Sequence, residues 1–128
     1  VIVTDGRAAR FVAERLGFIP APPFTVMGVE RDGKITGACL FNQFEGANVH
    51  VSAAGSGWTL PFMRALGDYV YHQLGCERMT LTTESDHVAR YAERLGGQRE
   101  GLMRSHFGPG RDAIIIGVLR DEFAYLKD

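Results

Sequence analysis

Gly55-Ser56-Gly57 interrupts the chain where its hydrophobic period changes. Upstream, Ala47 to Ala53 alternates in the manner of a strand. Downstream, Thr59 opens a helix that carries Phe62, Met63, Leu66, Val70 and Leu74. A strand that passes through a glycine turn into a helix leaves several backbone N–H groups at the helix start without partners. Those donors and the positive end of the helix dipole make a ready phosphate site. No Lys-Ser/Thr pair follows the glycines, so the segment is not a nucleotide-binding P-loop.

The flanking sequence predicts a single α/β domain with a mixed sheet. Val1-Ile2-Val3 reads as a strand and Asp5 as the N-cap of a helix, with Ala8, Ala9, Val12 and Leu16 on one face and Phe11 on its flank. Gly17 ends that helix, and Pro20, Pro22 and Pro23 impose an extended connection. Three strands follow as an antiparallel meander: Phe24 to Arg31, Ile35 to Phe44 and Ala47 to Ala53, joined at Asp32-Gly33 and Glu45-Gly46. Gly75 stops the long helix, and Glu77 to Thr83 forms a strand. Ser85 caps a second amphipathic helix bearing Val88, Ala92 and Leu95. Gln98 to Arg104 and Asp112 to Leu119 are the last two strands. The order is β-α-β-β-β-α-β-α-β-β, and helices that bridge the later strands imply parallel crossovers.

Composition narrows the function classes. The 128 residues fit one domain, 1–128, and a net charge of −1 gives no electrostatic reason to bind nucleic acid or an anionic membrane surface. No apolar run approaches the roughly 18 residues of a membrane span, and the start lacks the apolar stretch of a secretory signal, so a cytoplasmic protein is expected. Cys39 and Cys76 stand singly and read as small buried hydrophobes, and the four scattered histidines make no metal-ligand pattern.

The element order, with its glycine turn after the third meander strand, resembles the GNAT superfamily of acyl-CoA N-acyltransferases. Ala54-Gly55-Ser56-Gly57-Trp58-Thr59 occupies the place of that family's phosphate loop. Both turn glycines are kept, while Ala54 replaces the leading Arg or Gln and Thr59 the closing small residue. Arg94-Leu95-Gly96-Gly97-Gln98-Arg99-Glu100-Gly101 through Arg104 resembles a segment of the branch that acetylates ribosomal-protein N termini. Asp112 and Leu119-Arg120-Asp121-Glu122-Phe123 match the opening and end of that branch's last strand. Gly97 stands where the branch has Phe. Ala92 stands where the family commonly has a tyrosine, with Tyr91 one residue earlier. One helix, instead of two, precedes the second strand, which reduces one wall of the acceptor site.

The resemblance implies acetyl transfer from coenzyme A directly to a primary amine, a small molecule or a peptide N terminus, with acetyl-CoA as co-substrate and no metal. The pantetheine arm would lie between the strand carrying Val49, Val51 and Ala53 and the strand Glu77 to Thr83. The pyrophosphate would rest on amides from Ala54 and Gly55 through Ser56, Gly57, Trp58 and Thr59, with Ser85 nearby. His50 titrates near neutrality and shares a strand face with Asn48 and Ser52. It is either the proton acceptor or a half-exposed strand residue. Tyr91 protonates the leaving sulfur only if its helix is rotated from the expected register; otherwise it packs on the core. Trp58 is core filler or a cover for the pantetheine. His106, Arg104 and Arg111 flank a Gly-Pro-Gly loop where acceptor contacts lie in similar proteins. A noncatalytic module of the same fold, binding an acyl-CoA or a protein partner, is the alternative. The apolar strand DAIIIGVL serves either the core or a homodimer.

Overall fold

The computed structural model describes residues 1–126. Seven strands form one mixed sheet in the order β1-β2-β3-β4-β5-β7-β6. They are β1 (Ile2–Val3), β2 (Thr25–Arg31), β3 (Lys34–Glu45), β4 (Asn48–Gly55), β5 (Arg78–Thr83), β6 (Gln98–Gly108) and β7 (Arg111–Leu119). The helices are α1 (Gly6–Leu16), α2 (Leu60–Gly67) and α3 (Asp86–Arg94). The sequence-derived order holds throughout. β4 and β5 form the parallel pair, and the other neighbours are antiparallel.

Two cores sit on opposite faces of the sheet. Odd-numbered positions of β3 and β4, from Cys39, Phe41, Val49 and Val51, join Phe62, Met63 and Leu66 of α2 and Ala89 and Ala92 of α3. Even-numbered Ala38 and Leu40 face the other way and meet Ala8 and Val12 of α1. This is the period-two split of a strand that is covered on both sides. Asp5 and Ser85 cap α1 and α3 as expected, each accepting a backbone N–H of the first turn. Leu16, expected on the buried face of α1, is exposed, because the helix ends there at the left-handed Gly17.

Two local features depart from the sequence reading. After Gly67, α2 widens into π-helical turns over Asp68–Gln73, which brings the adjacent residues Val70 and Tyr71 both into the core. The Tyr71 hydroxyl donates to the Val118 carbonyl at 2.7 Å. In addition, β6 runs to Gly108 rather than stopping at Arg104, with a bulge that places Ser105 at φ 56°. β7 is inserted between β5 and β6, and its Ala113, Ile116 and Val118 are consumed by the core. That use favours the core over a dimer contact for DAIIIGVL.

Gly97 explains itself by packing. A Cβ there would stand 2.7 Å from Ile116 Cγ2 and 2.9 Å from the Ala92 carbonyl. A larger residue has no room without moving α3 off β7. Gly97→Ala is therefore expected to cost about 1–3 kcal/mol of stability, readable as a lower urea midpoint at unchanged m-value.

Candidate functional site

The parallel ladder between β4 and β5 has the pairs Asn48↔Arg78, Val49↔Met79, His50↔Thr80 and Val51↔Leu81, and stops there. Both strands continue, β4 to Gly55 against β3 and β5 to Thr83 against β7. Past Val51, the edge of β4 that faces β5 therefore has no strand partner. The gap opens onto a cleft of about 360 Å³ on the α2–α3 face of the sheet.

Three elements build the cleft. Val51, Ala53 and Leu81 line the split, Phe62, Met63 and Leu66 of α2 make an apolar wall, and His87, Val88, Tyr91, Ala92 and Leu95 form a stripe along α3. The remaining side is the turn Gly55-Ser56-Gly57-Trp58. Gly55 (φ 90°) and Gly57 (φ 83°) hold conformations that L side chains rarely adopt. The Ser56 N–H donates to the Thr36 carbonyl at 3.0 Å, which anchors the turn to β3.

The donors at the helix start divide into used and free. Thr59 is the N-cap: its hydroxyl accepts the Phe62 N–H at 3.1 Å and its carbonyl the Met63 N–H at 2.9 Å. Pro61 has no N–H. The amides of Gly57, Trp58, Thr59 and Leu60 find no partner among the described residues. Of these, Gly57 and Trp58 border the cleft, so one end of it carries unpaired backbone donors of the kind that suit an anionic group.

Each predicted site residue has a definite place. Val51, Ala53, Gly55, Ser56, Gly57, Trp58 and Tyr91 line the cleft. Val49 does not, because it lies inside the closed ladder and is fully buried. Ala54 pairs with Ala38 on the α1 side, and the hydroxyls of Thr59 and Ser85 are engaged as caps. Trp58 serves both roles weighed for it: its ring packs 5.2 Å from Phe62 and also walls the cleft. Tyr91 faces the cleft without any rotation of α3, since the stripe takes in both Tyr91 and Ala92. Burial, reinforced by Tyr125 and opposed by Arg94, pushes its phenol upward, so it stays protonated at neutral pH. Cys39 and Cys76 are buried free thiols, and burial raises Cys39 to about 12.

His50 lies on the opposite face of β4, beside the split. Its Nε2 is 3.1 Å from the Thr82 hydroxyl, which bridges the two strands just where their ladder ends. Burial, with the nearby His106 as a second cause, holds His50 below the ordinary histidine range. Along the same face, the Asn48 side-chain carbonyl accepts from Thr80 at 2.7 Å, and Arg78 pairs with Glu100 at 2.7 Å. Arg111 donates to Glu84 at 3.0 Å, tying the β6–β7 hairpin to the β5–α3 loop. No group of three or more metal-ligating side chains occurs among the described residues, and no helix among them is long and apolar enough to cross a membrane.

No protein-family model and no curated protein sequence matches the chain. Solved structures do. A spermidine N-acetyltransferase mutant from Vibrio cholerae superposes with a TM-score of 0.75 at 13% identity, covering 97% of each chain. The fold is the GNAT acetyltransferase fold. An aminoglycoside 6'-acetyltransferase type Ii gives a TM-score of 0.68 at 12% identity, covering 94% of this chain and 97% of its own. A putative acetyltransferase from T. thermophilus gives 0.64 at 20% identity, covering 87% of this chain and 65% of its own. These likenesses lend no support to the narrower resemblance to the ribosomal-protein branch.

Sequence reasoning missed Thr36, Gly37 and Thr82. Gly37 lies directly under the turn: a Cβ there would be 2.5 Å from the Ser56 carbonyl and 2.9 Å from the Trp58 ring. An isolated glycine within a strand signals such close approach, and Gly37 carried that signal. Gly37→Ala should displace the turn and cost about 1–3 kcal/mol. Trp58 is the only tryptophan, so a shifted emission maximum in the still-folded variant would report the displacement.

Proposed function

We propose that the chain is an acyl-CoA-dependent N-acyltransferase that moves an acetyl group to a primary amine by direct transfer. The observation that carries this reading is the split between β4 and β5. It joins a cleft ending in bare amides on one face to a polar surface holding His50 on the other. Two reactants can then approach one point from opposite sides, and positioning alone supplies much of the acceleration of a two-substrate reaction.

Acetyl-CoA brings the activated acyl group, which leaves sulfur for the amine nitrogen while the amine loses a proton and the thiolate gains one. The residues here fit its parts. Gly57, Trp58, Thr59 and Leu60 N–H groups meet the pyrophosphate, and the unpaired edge of β4 beyond Val51 can bond amides of an extended arm, as an added strand would. Trp58, Phe62 and Leu66 bury the apolar portion. In this reading Tyr91, which lines the cleft and is kept protonated by burial, gives the thiolate its proton. If the His50 Nε2–H donates to Thr82, Nδ1 carries the free lone pair and takes the amine proton. Depressed basicity keeps His50 unprotonated, and so available, at neutral pH. The two unpaired cysteines fit a reducing compartment, and we place the reaction in the cytoplasm.

One feature favours a noncatalytic acyl-CoA-binding module of the same fold. Ala54 contributes no side-chain donor to the phosphate site, and Thr59 and Pro61 remove two helix-start donors. Binding is therefore tested first. Acetyl-CoA at a hundredfold its dissociation constant should stabilise the fold by about 2.7 kcal/mol, a rise of roughly 10 degrees in Tm for a chain of this length, with quenching of Trp58. Thiol release on adding primary amines then separates enzyme from module. No thermal shift at millimolar acetyl-CoA would end both readings.

His50→Gln should lower kcat by about a hundredfold or more while leaving acetyl-CoA affinity unchanged. In the native protein, the rate should rise with pH along a limb centred below the ordinary histidine value of about 6.5. His106 is one of the causes that lower His50, so His106→Gln should move that limb upward. A limb that ignores His106 would remove His50 from the role.

A further inference from the structure

The sheet has two edges, and the chain treats them differently. Outer strand β6 carries Arg99, Glu100 and Arg104 and is bulged twice against β7. Charges and bulges are how proteins keep an edge from pairing. The other edge is left plain over part of its length. β1 pairs only Ile2↔Val29 and Val3↔Gly28 with β2, because Asp5 then caps α1 and takes the chain off the sheet. Backbone bonds in both directions join Val1 to Glu30. On β2 the outward positions are therefore Glu30, Gly28 and, past the end of β1, Val26. The Val26 N–H and C=O find no partner among the described residues. Around them, Thr25 to Gly28 holds no charge and no proline.

This free edge lines an open groove of about 590 Å³. One wall is the start of α1, with Asp5 and Ala9. The other is the flank of α2 and its π turns turned away from the first cleft, with Ala65, Asp68 and Tyr69. The Thr25 and Tyr69 hydroxyls are 2.6 Å apart and hold that wall to the strand. Among the described residues, no cationic side chain lines the groove. Of its two carboxylates, Asp5 is taken up by Arg7. Asp68 is half-exposed and bonded to His72 and Gln73, so no lysine or arginine neutralises it. It also opens the π turns, and such turns recur at functional sites.

We infer that an extended peptide segment with a basic side chain docks in this groove, adding a short strand to β2 through Val26 and setting its cation against Asp68. The open backbone groups supply affinity and the groove takes alternate side chains. The carboxylate selects the sign of the charge. Because the groove lies across α2 from the acyl-CoA cleft, the inference does not depend on the acyltransferase reading.

The test uses isotope-labelled protein and two pools of blocked pentapeptides, β-branched throughout except for a central lysine in one and a central glutamate in the other. At saturation the lysine pool should shift the amide resonances of Thr25, Val26 and Asp68. It should also slow hydrogen exchange at Val26 about tenfold or more, since the added strand must open before that amide exchanges. The glutamate pool should bind at least about threefold more weakly, and Asp68→Asn should weaken the lysine pool by about threefold. Raised salt should weaken it by a similar factor in the native protein, a check that needs no substitution. Shifts without slowed exchange at Val26 would put the peptide off the strand edge and overturn the inference. So would no response to either pool, equal binding of the two, or an Asp68→Asn variant that binds the lysine pool as tightly as the native protein. Protection of Val26 that grows with protein concentration in the absence of peptide would give the edge to a second copy of the chain, and would overturn it too.

Discussion

The parallel pairing of β4 with β5 spans four residue pairs and then ends, although neither strand does. Each strand is committed on its outer side, β4 to β3 as far as Gly55 and β5 to β7 as far as Thr83. Those antiparallel ladders are long and set each strand's direction, so the two halves of the sheet act as stiff plates meeting along a short seam. The sheet's inherent twist then opens the seam where the ladder ends. The chain keeps the opening by what it places around it. Gly55-Ser56-Gly57 turns β4 away toward α2, and Thr82, one residue past the last ladder pair, reaches back across to His50. A fifth pair would zip the ladder shut and remove the cleft.

The helix start that borders this cleft illustrates how caps and ligands compete for the same groups. A Ser or Thr N-cap stabilises a helix by about 1 kcal/mol because it occupies an orphan donor. Thr59 does this with the Phe62 amide, and Pro61 removes another donor altogether. The helix is thereby fixed without any ligand. The remaining donors precede it, at Gly57, Trp58, Thr59 and Leu60, where the turn is anchored through Ser56 to Thr36. Rigidity thus comes from one set of amides and the open valences from another. Gly37 makes the arrangement sterically feasible, since only a missing side chain lets β3 pass so close beneath the Ser56 carbonyl.

The fold was legible in the sequence because its signals are local. Capping by Asp5 and Ser85, the Asp32-Gly33 hairpin and the change of hydrophobic period at Gly55 each follow from neighbouring residues, and together they give the element order. The π-helical turns at Asp68–Gln73 were not legible, because helical spacing accounts for Val70 and leaves Tyr71 with no reason to turn inward; the bond to Val118 comes from the distant β7. The cleft was legible in part. Residues adjacent to the glycine turn line it, whereas Val49 does not, because the position of the split along β4 depends on register with β5. Thr82 comes into view only through its contact with His50 on the neighbouring strand, and no local pattern in one strand carries that information.

The single helix between β1 and β2 covers only part of the sheet face that carries His50. α1 packs on β2, β3 and β4, covering Ala38 and Leu40, and the chain then returns to the sheet through the proline-rich stretch 18–24 without a second helix. On that side the surface over β5 and β7 is finished by polar bonds: Glu100 to Arg78, Arg78 to Thr80 and Thr80 to Asn48. Such a string pairs its own polar groups, so it needs no helix to cover it. At the seam itself this polar surface ends on the half-buried His50 imidazole, held by Thr82 and kept by burial below the ordinary histidine range.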